Sequence, residues 1–147
     1  MKAVIQRVKN ASVRVGGEEV SSIGRGLLIL LGIQVGDLEH DIDYLSRKVA
    51  KLRIFEKDGK FNDSIVDIGG EALVVSQFTL LGRTHRGNRP DFLLAEKPPR
   101  AEELFNMFCD ALSMYVPVKK GIFGERMEIH LINDGPVTII IDSRGKG

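Results

Sequence analysis

Between Gly26 and Gly32 the chain reads Leu27-Leu28-Ile29-Leu30-Leu31, five apolar residues without a polar interruption. A strand with one face in water alternates polar and apolar side chains. This one does not, so it is predicted to be a strand covered on both faces. It falls far short of the ~20 apolar residues that a membrane span needs. A chain of 147 residues can supply the cover, since roughly 68–70% of the unfolded surface is buried at this size.

The flanking segments supply candidate partners. Residues 2–8 read as a strand. In residues 11–15, Val13 and Val15 alternate with Ser12 and Arg14; Gly16-Gly17 then breaks the run before residues 19–23, which predicts a hairpin. Asp37 is the expected N-cap of a helix over 38–52, with Leu38, Ile42, Leu45, Val49 and Leu52 on one stripe. Acidic residues early in this stretch and Arg47, Lys48 and Lys51 late in it suit the helix dipole. Residues 53–56 read as a short strand before the turn signal Asp58-Gly59, and residues 71–80 as a longer one. Residues 81–97 lack either period and form a long loop. Pro98-Pro99 opens a second helix over 99–114, with Ala101, Leu104, Phe105, Phe108 and Leu112 inward. Two final strands, 127–132 and 137–141, are joined by Asn133-Asp134-Gly135-Pro136. No repeat or low-complexity linker divides the chain, so residues 1–147 are expected to form one compact α/β domain, mixed but mostly antiparallel, with two main helices.

Composition narrows the class. With 43% apolar and 28% charged residues, a disordered, collagen-like or disulfide-stapled chain is excluded. Cys109 is the one cysteine, and the first residues turn polar too soon for a secretory signal. A reducing cytoplasm is the expected compartment. Twenty-one basic residues against 20 acidic ones leave a net charge of +1, so only local clustering could point to nucleic acid. One cluster exists: residues 82–100 carry Arg83, Arg86, Arg89, Lys97 and Arg100 against Asp91 and Glu96. It reads as a solvated loop or as a phosphate-contacting one.

Familiar catalytic signatures are missing. There is no Walker loop, no Gly-x-Ser-x-Gly elbow, and Gly24-x-Gly26 lacks the third glycine of a dinucleotide fingerprint. His40, His85 and His130 share no ligand spacing, so neither a metal nor a cofactor is expected. Cys109 lies beside Phe105, Phe108 and Leu112 and is expected to be a buried, inert thiol. Two segments remain. Ser76-Gln77-Phe78-Thr79 interrupts an apolar strand, with Gln77 and Thr79 expected on one face and Ser76 and Phe78 on the other. It is either a strand end emerging into solvent or a set of hydroxyls, amide and backbone N–H groups facing a cleft. Asn133-Asp134-Gly135-Pro136-Val137-Thr138 is either a plain hairpin turn or something more, because proline at the start of an apolar strand cannot donate to a ladder.

Together, and in this order, these two segments resemble the signatures of D-aminoacyl-tRNA deacylases. So do Met1–Val8 with Ala11-Ser12-Val13, the Gly26–Gly32 run, Leu52-Arg53-Ile54-Phe55, Arg86-Gly87-Asn88-Arg89-Pro90-Asp91-Phe92 and Gly121-Ile122-Phe123-Gly124. The resemblance implies hydrolysis of the ester between a D-amino acid and the 3′ end of tRNA, in a homodimer with its sites at the interface. It implies Ser76, Gln77, Phe78 and Thr79 at the reacting ester. It implies Gly135-Pro136, with a cis bond, reaching with Val137 and Thr138 into the partner's pocket to exclude L-amino acids. Arg83, Arg86 and Arg89 are candidate tRNA contacts. The tRNA's own ribose 2′-hydroxyl is the implied catalytic assistant, with Thr79 as a less favoured nucleophile. Glycyl-tRNA mischarged on tRNA-Ala is an implied further substrate. Two other classes stay open, a non-catalytic RNA-binding module and a small-molecule esterase. The first is weakened by the absence of Trp and the presence of only two Tyr for base stacking.

Overall fold

The computed structural model describes residues 1–145. The chain passes through β1 (Lys2–Val15), β2 (Glu18–Ile23), β3 (Gly26–Gly32), α1 (Glu39–Lys51), β4 (Phe55–Lys57) and β5 (Lys60–Asp63). It continues through β6 (Glu71–Ser76), a 3-10 turn (Phe78–Leu81), α2 (Arg100–Ser113), β7 (Val118–Lys120) and β8 (Glu128–Asp142).

The apolar run is β3, and it is covered on both faces as its composition requires. It lies between β1, antiparallel, and β6, parallel. Leu27, Ile29 and Leu31 enter the core beneath the helices, whereas Leu28 enters a second core with Val8, Val13, Ile23, Leu73 and Val75. Gly26 must lack a side chain: a Cβ there would stand 1.8 Å from the Glu71 carbonyl oxygen. The helices present the stripes read from their spacing, Ile42, Leu45 and Val49 from α1 and Leu104, Phe105, Phe108 and Leu112 from α2. Leu45 and Leu104 are fully buried, a contribution of about 1.5–3 kcal/mol each. The result is an α/β fold with two helices and a mostly antiparallel sheet.

Several boundaries differ from expectation, each for a long-range reason. Residues 2–15 form one strand, because β8 pairs along its whole length while β3 and then β2 share its other edge. Pairing shifts around Lys9 carry the chain from the first core to the second: Ala3 and Ile5 face the helices, Ala11 and Val13 the opposite core. The two final strands are likewise one, β8, and the Asn-Asp-Gly-Pro segment is a bulge within it rather than a hairpin turn. Strand β6 stops at Ser76. Asp37 does not cap α1. Leu38 holds that position, and its N–H is met by Asp41 Oδ2 at 2.9 Å. Asp37 is instead buried. Its Oδ1 accepts from the Met1 ammonium and from Arg144, both at 2.9 Å, and its Oδ2 accepts from the Gln34 N–H at 2.7 Å.

Candidate active site

The parallel pairing of β3 and β6 ends with Ser76 opposite Leu31, and the Gln77 N–H donates to the Leu31 carbonyl at 2.8 Å. Immediately beyond, the backbone turns. A Cβ on Gly32 would lie 2.5 Å from Leu81 Cδ2 and 3.1 Å from the Gln77 carbonyl oxygen, so glycine there lets the 3-10 turn fold back onto β3. The first N–H groups of such a turn have no intrahelical acceptor. Those of Phe78 and Thr79 meet no acceptor among the described residues.

These groups stand beside a cleft of about 560 Å³. Ser76, Gln77 and Phe78 line it together with Phe92, Phe123 and Met127, so it is apolar with a few polar groups at its edge. The strict alternation expected for residues 76–79 fails where β6 ends: Ser76, Gln77 and Phe78 all reach the cleft, and Thr79 does not line it. Phe78 is 57% exposed and meets Phe92 edge to face, with ring centroids 5.1 Å apart. The Thr79 hydroxyl donates to Gln77 Oε1. An amide oxygen is no base; no histidine lines the cleft, and the Glu96, Lys97 and Glu125 side chains that do line it make no hydrogen bond to Thr79. Cys109 is buried on the inner face of α2, where desolvation pushes its thiol up to about 12, so it is an inert neutral group. No cluster of His, Cys, Asp or Glu suited to a metal occurs among the described residues.

The second segment is built on β8. Between Gln6 opposite Thr138 and Val8 opposite Asn133, residues 134–137 stand against Arg7 alone. The neck of this bulge is closed by Asn133, whose Oδ1 accepts the Val137 N–H at 2.8 Å and whose Nδ2 donates to Thr138 Oγ1 at 3.1 Å. Its base is held by Arg7, which donates to the carbonyls of Asp134 at 2.9 Å and Ile54 at 2.8 Å and approaches Glu56 at 3.3 Å. Gly135 and Pro136 are exposed at its tip and joined by a cis peptide bond, while Val137 is buried. Gly135 has φ 141°, a region that disfavours other residues.

Sequence reasoning missed Arg7. Its signal was a charged residue on the same period-2 face as Ala3 and Ile5, both fully buried. Among the candidate tRNA contacts, Arg83 is engaged, its Nη2 lying 3.1 Å from Asp91 Oδ1. Arg86 and Arg89 are exposed.

The two segments do not meet within one chain. The Gly135-Pro136 tip borders a separate pocket with Arg7, Arg25, Glu56 and Asp134. Three strand spacings and four residues of β1 separate it from the end of β6, roughly 20 Å by ladder dimensions. The outer edge of β8 has no partner strand among the described residues, and Ile132 and Ile140 are exposed on that strand.

Residues 4–142 match the family model described as D-Tyr-tRNA(Tyr) deacylase. The chain belongs to this family. Deacylases of this family are hydrolases, which makes the protein an enzyme. A D-aminoacyl-tRNA deacylase of Persephonella marina is 55% identical, covering 98% of this chain and 99% of that protein. One of Thermoanaerobacter pseudethanolicus is 51% identical, covering 98% of each. A solved structure described as the c-Myc DNA unwinding element binding protein is 47% identical with a TM-score of 0.91, covering 97% of this chain and 98% of that one. A probable eukaryotic D-amino acid tRNA deacylase shares the fold at 15% identity and a TM-score of 0.83, covering 95% and 97%. No helix among the described residues is long and apolar enough to cross a membrane.

Proposed function

We propose that this deacylase hydrolyses the ester between a D-amino acid and the terminal adenosine of tRNA, at a site made by two copies of the chain. One copy contributes the cleft at the end of β6. The other contributes Gly135-Pro136, supported by Val137 and Thr138. The observation that carries this reading is the separation of the two segments within one chain, combined with the unpartnered, partly apolar edge of β8. A long exposed edge of that kind favours pairing with another chain, and a two-fold dimer would bring each tip to its partner. Translation takes place in the cytoplasm, which is therefore the proposed location.

An aminoacyl ester is already activated. The protein's tasks are to position water, stabilise the developing oxyanion and select handedness. The unpartnered N–H groups of Phe78 and Thr79 are suited to the oxyanion. Ser76 and Gln77 border the same corner and orient the ester, and the apolar cleft accepts the adenosine. Because no base stands beside Thr79, proton transfer falls to the ribose 2′-hydroxyl of the substrate.

Handedness follows from exclusion. L and D residues exchange hydrogen and side chain at one carbon. If the carbonyls of Gly135 and Pro136 occupy the position of the L side chain, every L residue clashes and D residues pass. A penalty of ~3 kcal/mol gives about a hundredfold discrimination. The same geometry accepts achiral glycine, so glycyl-tRNA mischarged on tRNA-Ala would be cleaved too.

The test is a side-by-side assay of D-Tyr-tRNA, L-Tyr-tRNA and free D-Tyr ethyl ester. Hydrolysis of the first alone supports the proposal. Binding without cleavage would mean an RNA-binding module, and equal cleavage of the ethyl ester a small-molecule esterase.

A further inference from the structure

Residues 84–90 form an arm whose two ends are fastened together. Arg83 and Asp91 exchange both backbone hydrogen bonds, at 2.9 and 3.0 Å. Their side chains close the same gap, with Arg83 Nε and Nη2 each 3.1 Å from Asp91 Oδ1. The Leu93 N–H also donates to that carboxylate, at 3.2 Å. The next residue, Phe92, lays its ring over Gly82, where a Cβ would come within 2.9 Å of Cε1, and its edge-to-face contact with Phe78 ties the clasp to the cleft wall.

The arm carries Arg86 and Arg89, both exposed, and neither has a hydrogen-bond or ion-pair partner among the described residues. A chain of net charge +1 has no diffuse positive field, so this is a local feature. Guanidinium groups match phosphate oxygens two at a time. A loop fastened at its base also loses less freedom on binding than a free one.

Resting on the deacylase reading, we infer that this arm grips backbone phosphates of the tRNA acceptor end through Arg86 and Arg89. Arg83 and Asp91 are a positioning pair: they fix the arm relative to Phe78, so that gripped phosphates set where the ester lies. The grip acts on tRNA and not on a small ester.

The experiment compares wild type, Arg86→Gln/Arg89→Gln and Arg83→Gln on D-Tyr-tRNA and on the D-tyrosyl ester of adenosine, from about 50 to about 200 mM salt. For the double variant, KM for D-Tyr-tRNA is expected to rise at least tenfold with kcat kept, and the adenosine ester to be unaffected. Its salt slope should fall by about 1.4, from two single-strand phosphates at ~0.7 each. Arg83→Gln is expected to lower kcat on both substrates, because Phe92 no longer braces Phe78. An unchanged KM and salt slope in the double variant overturns the grip. So does an equal loss in Lys57→Gln/Lys60→Gln, two exposed lysines on the β4–β5 hairpin, which would show a general charge effect. Failure of the wild type to cleave D-Tyr-tRNA overturns the deacylase reading and the grip with it.

Discussion

Arg7 Nε donates to the carbonyl of Asp134 at 2.9 Å, across the bulge that presents Gly135 and Pro136. The same side chain donates to the Ile54 carbonyl at 2.8 Å and is only 7% exposed. A buried guanidinium is tolerable only when its donors are satisfied, and here the bulge supplies one of the acceptors. Arg7 is therefore the residue that fixes the Gly135-Pro136 tip relative to β1. Arg7→Met keeps the apolar stem and removes every donor, leaving two carbonyls unmet. The expected loss is about 2–6 kcal/mol of stability, at roughly 1–3 for each of the two orphaned carbonyls, read from the urea midpoint at constant m. The ratio of D- to L-Tyr-tRNA hydrolysis is expected to shrink about tenfold, a shift of ~1.4 kcal/mol at the ester.

The Thr79 hydroxyl donates to an amide oxygen, and none of the charged groups of the cleft, Glu96, Lys97 and Glu125, hydrogen-bonds to it. Thr79→Ala is expected to keep activity within about tenfold of wild type, whereas a tRNA ending in 2′-deoxyadenosine should react slower by about 10²-fold or more. Single-turnover rates and intact-protein mass measure both. An acyl-enzyme trapped on Thr79 would contradict the assignment.

Asp41 links α1 to the chain ends. Burial pushes its carboxyl up, but the Leu38 N–H, the Ser143 hydroxyl and the N-terminal ammonium together outweigh that and hold it below the usual 3.8. A carboxyl lowered in the folded state stabilises the fold above its unfolded pKa, and that contribution is lost as pH falls through the folded one. Stability is thus expected to hold down to about pH 5 and to drop below about pH 4. Asp41→Asn should cost about 1–3 kcal/mol at pH 7 and flatten the acid limb. Denaturant titrations from neutral to acid pH check both features.

Local periodicity made β3, both helical stripes and the Gly16-Gly17 hairpin legible, because each depends on residues within a few positions of one another. It also singled out the segments around Ser76 and Gly135. It misread what long-range pairing decides. Asn133-Asp134-Gly135-Pro136 has turn chemistry, yet Arg7 and the continuous β1–β8 ladder hold it as a bulge within one strand. Asp37 has N-cap chemistry, yet a partner 107 residues away, Arg144, helps to bury it as a counter-ion. Thr79 was read by strand alternation, which ends three residues earlier, where close packing at Gly32 turns the backbone.

Complementation between two defective chains tests the shared site most directly. Phe78→Pro removes the proposed oxyanion donor at the first position of a turn, where proline is tolerated. Its expected cost is about 10²–10³ in kcat. Gly135→Ala places a Cβ 2.7 Å from Val137 Cγ2 and 3.1 Å from Arg7 Nη2, which displaces the tip. Phe78→Pro alone is expected to be nearly inactive, and Gly135→Ala alone to cleave L-Tyr-tRNA as well as D-Tyr-tRNA, because the tip excludes L residues and does not act on the ester. After unfolding and refolding together in equal amounts, half of the dimers would be mixed, each with one intact, D-selective site and one doubly damaged site, so L-Tyr-tRNA hydrolysis per Gly135→Ala chain should fall to about half. L-Tyr-tRNA hydrolysis per Gly135→Ala chain that stays unchanged in mixed dimers verified by mass would contradict a site shared between two chains.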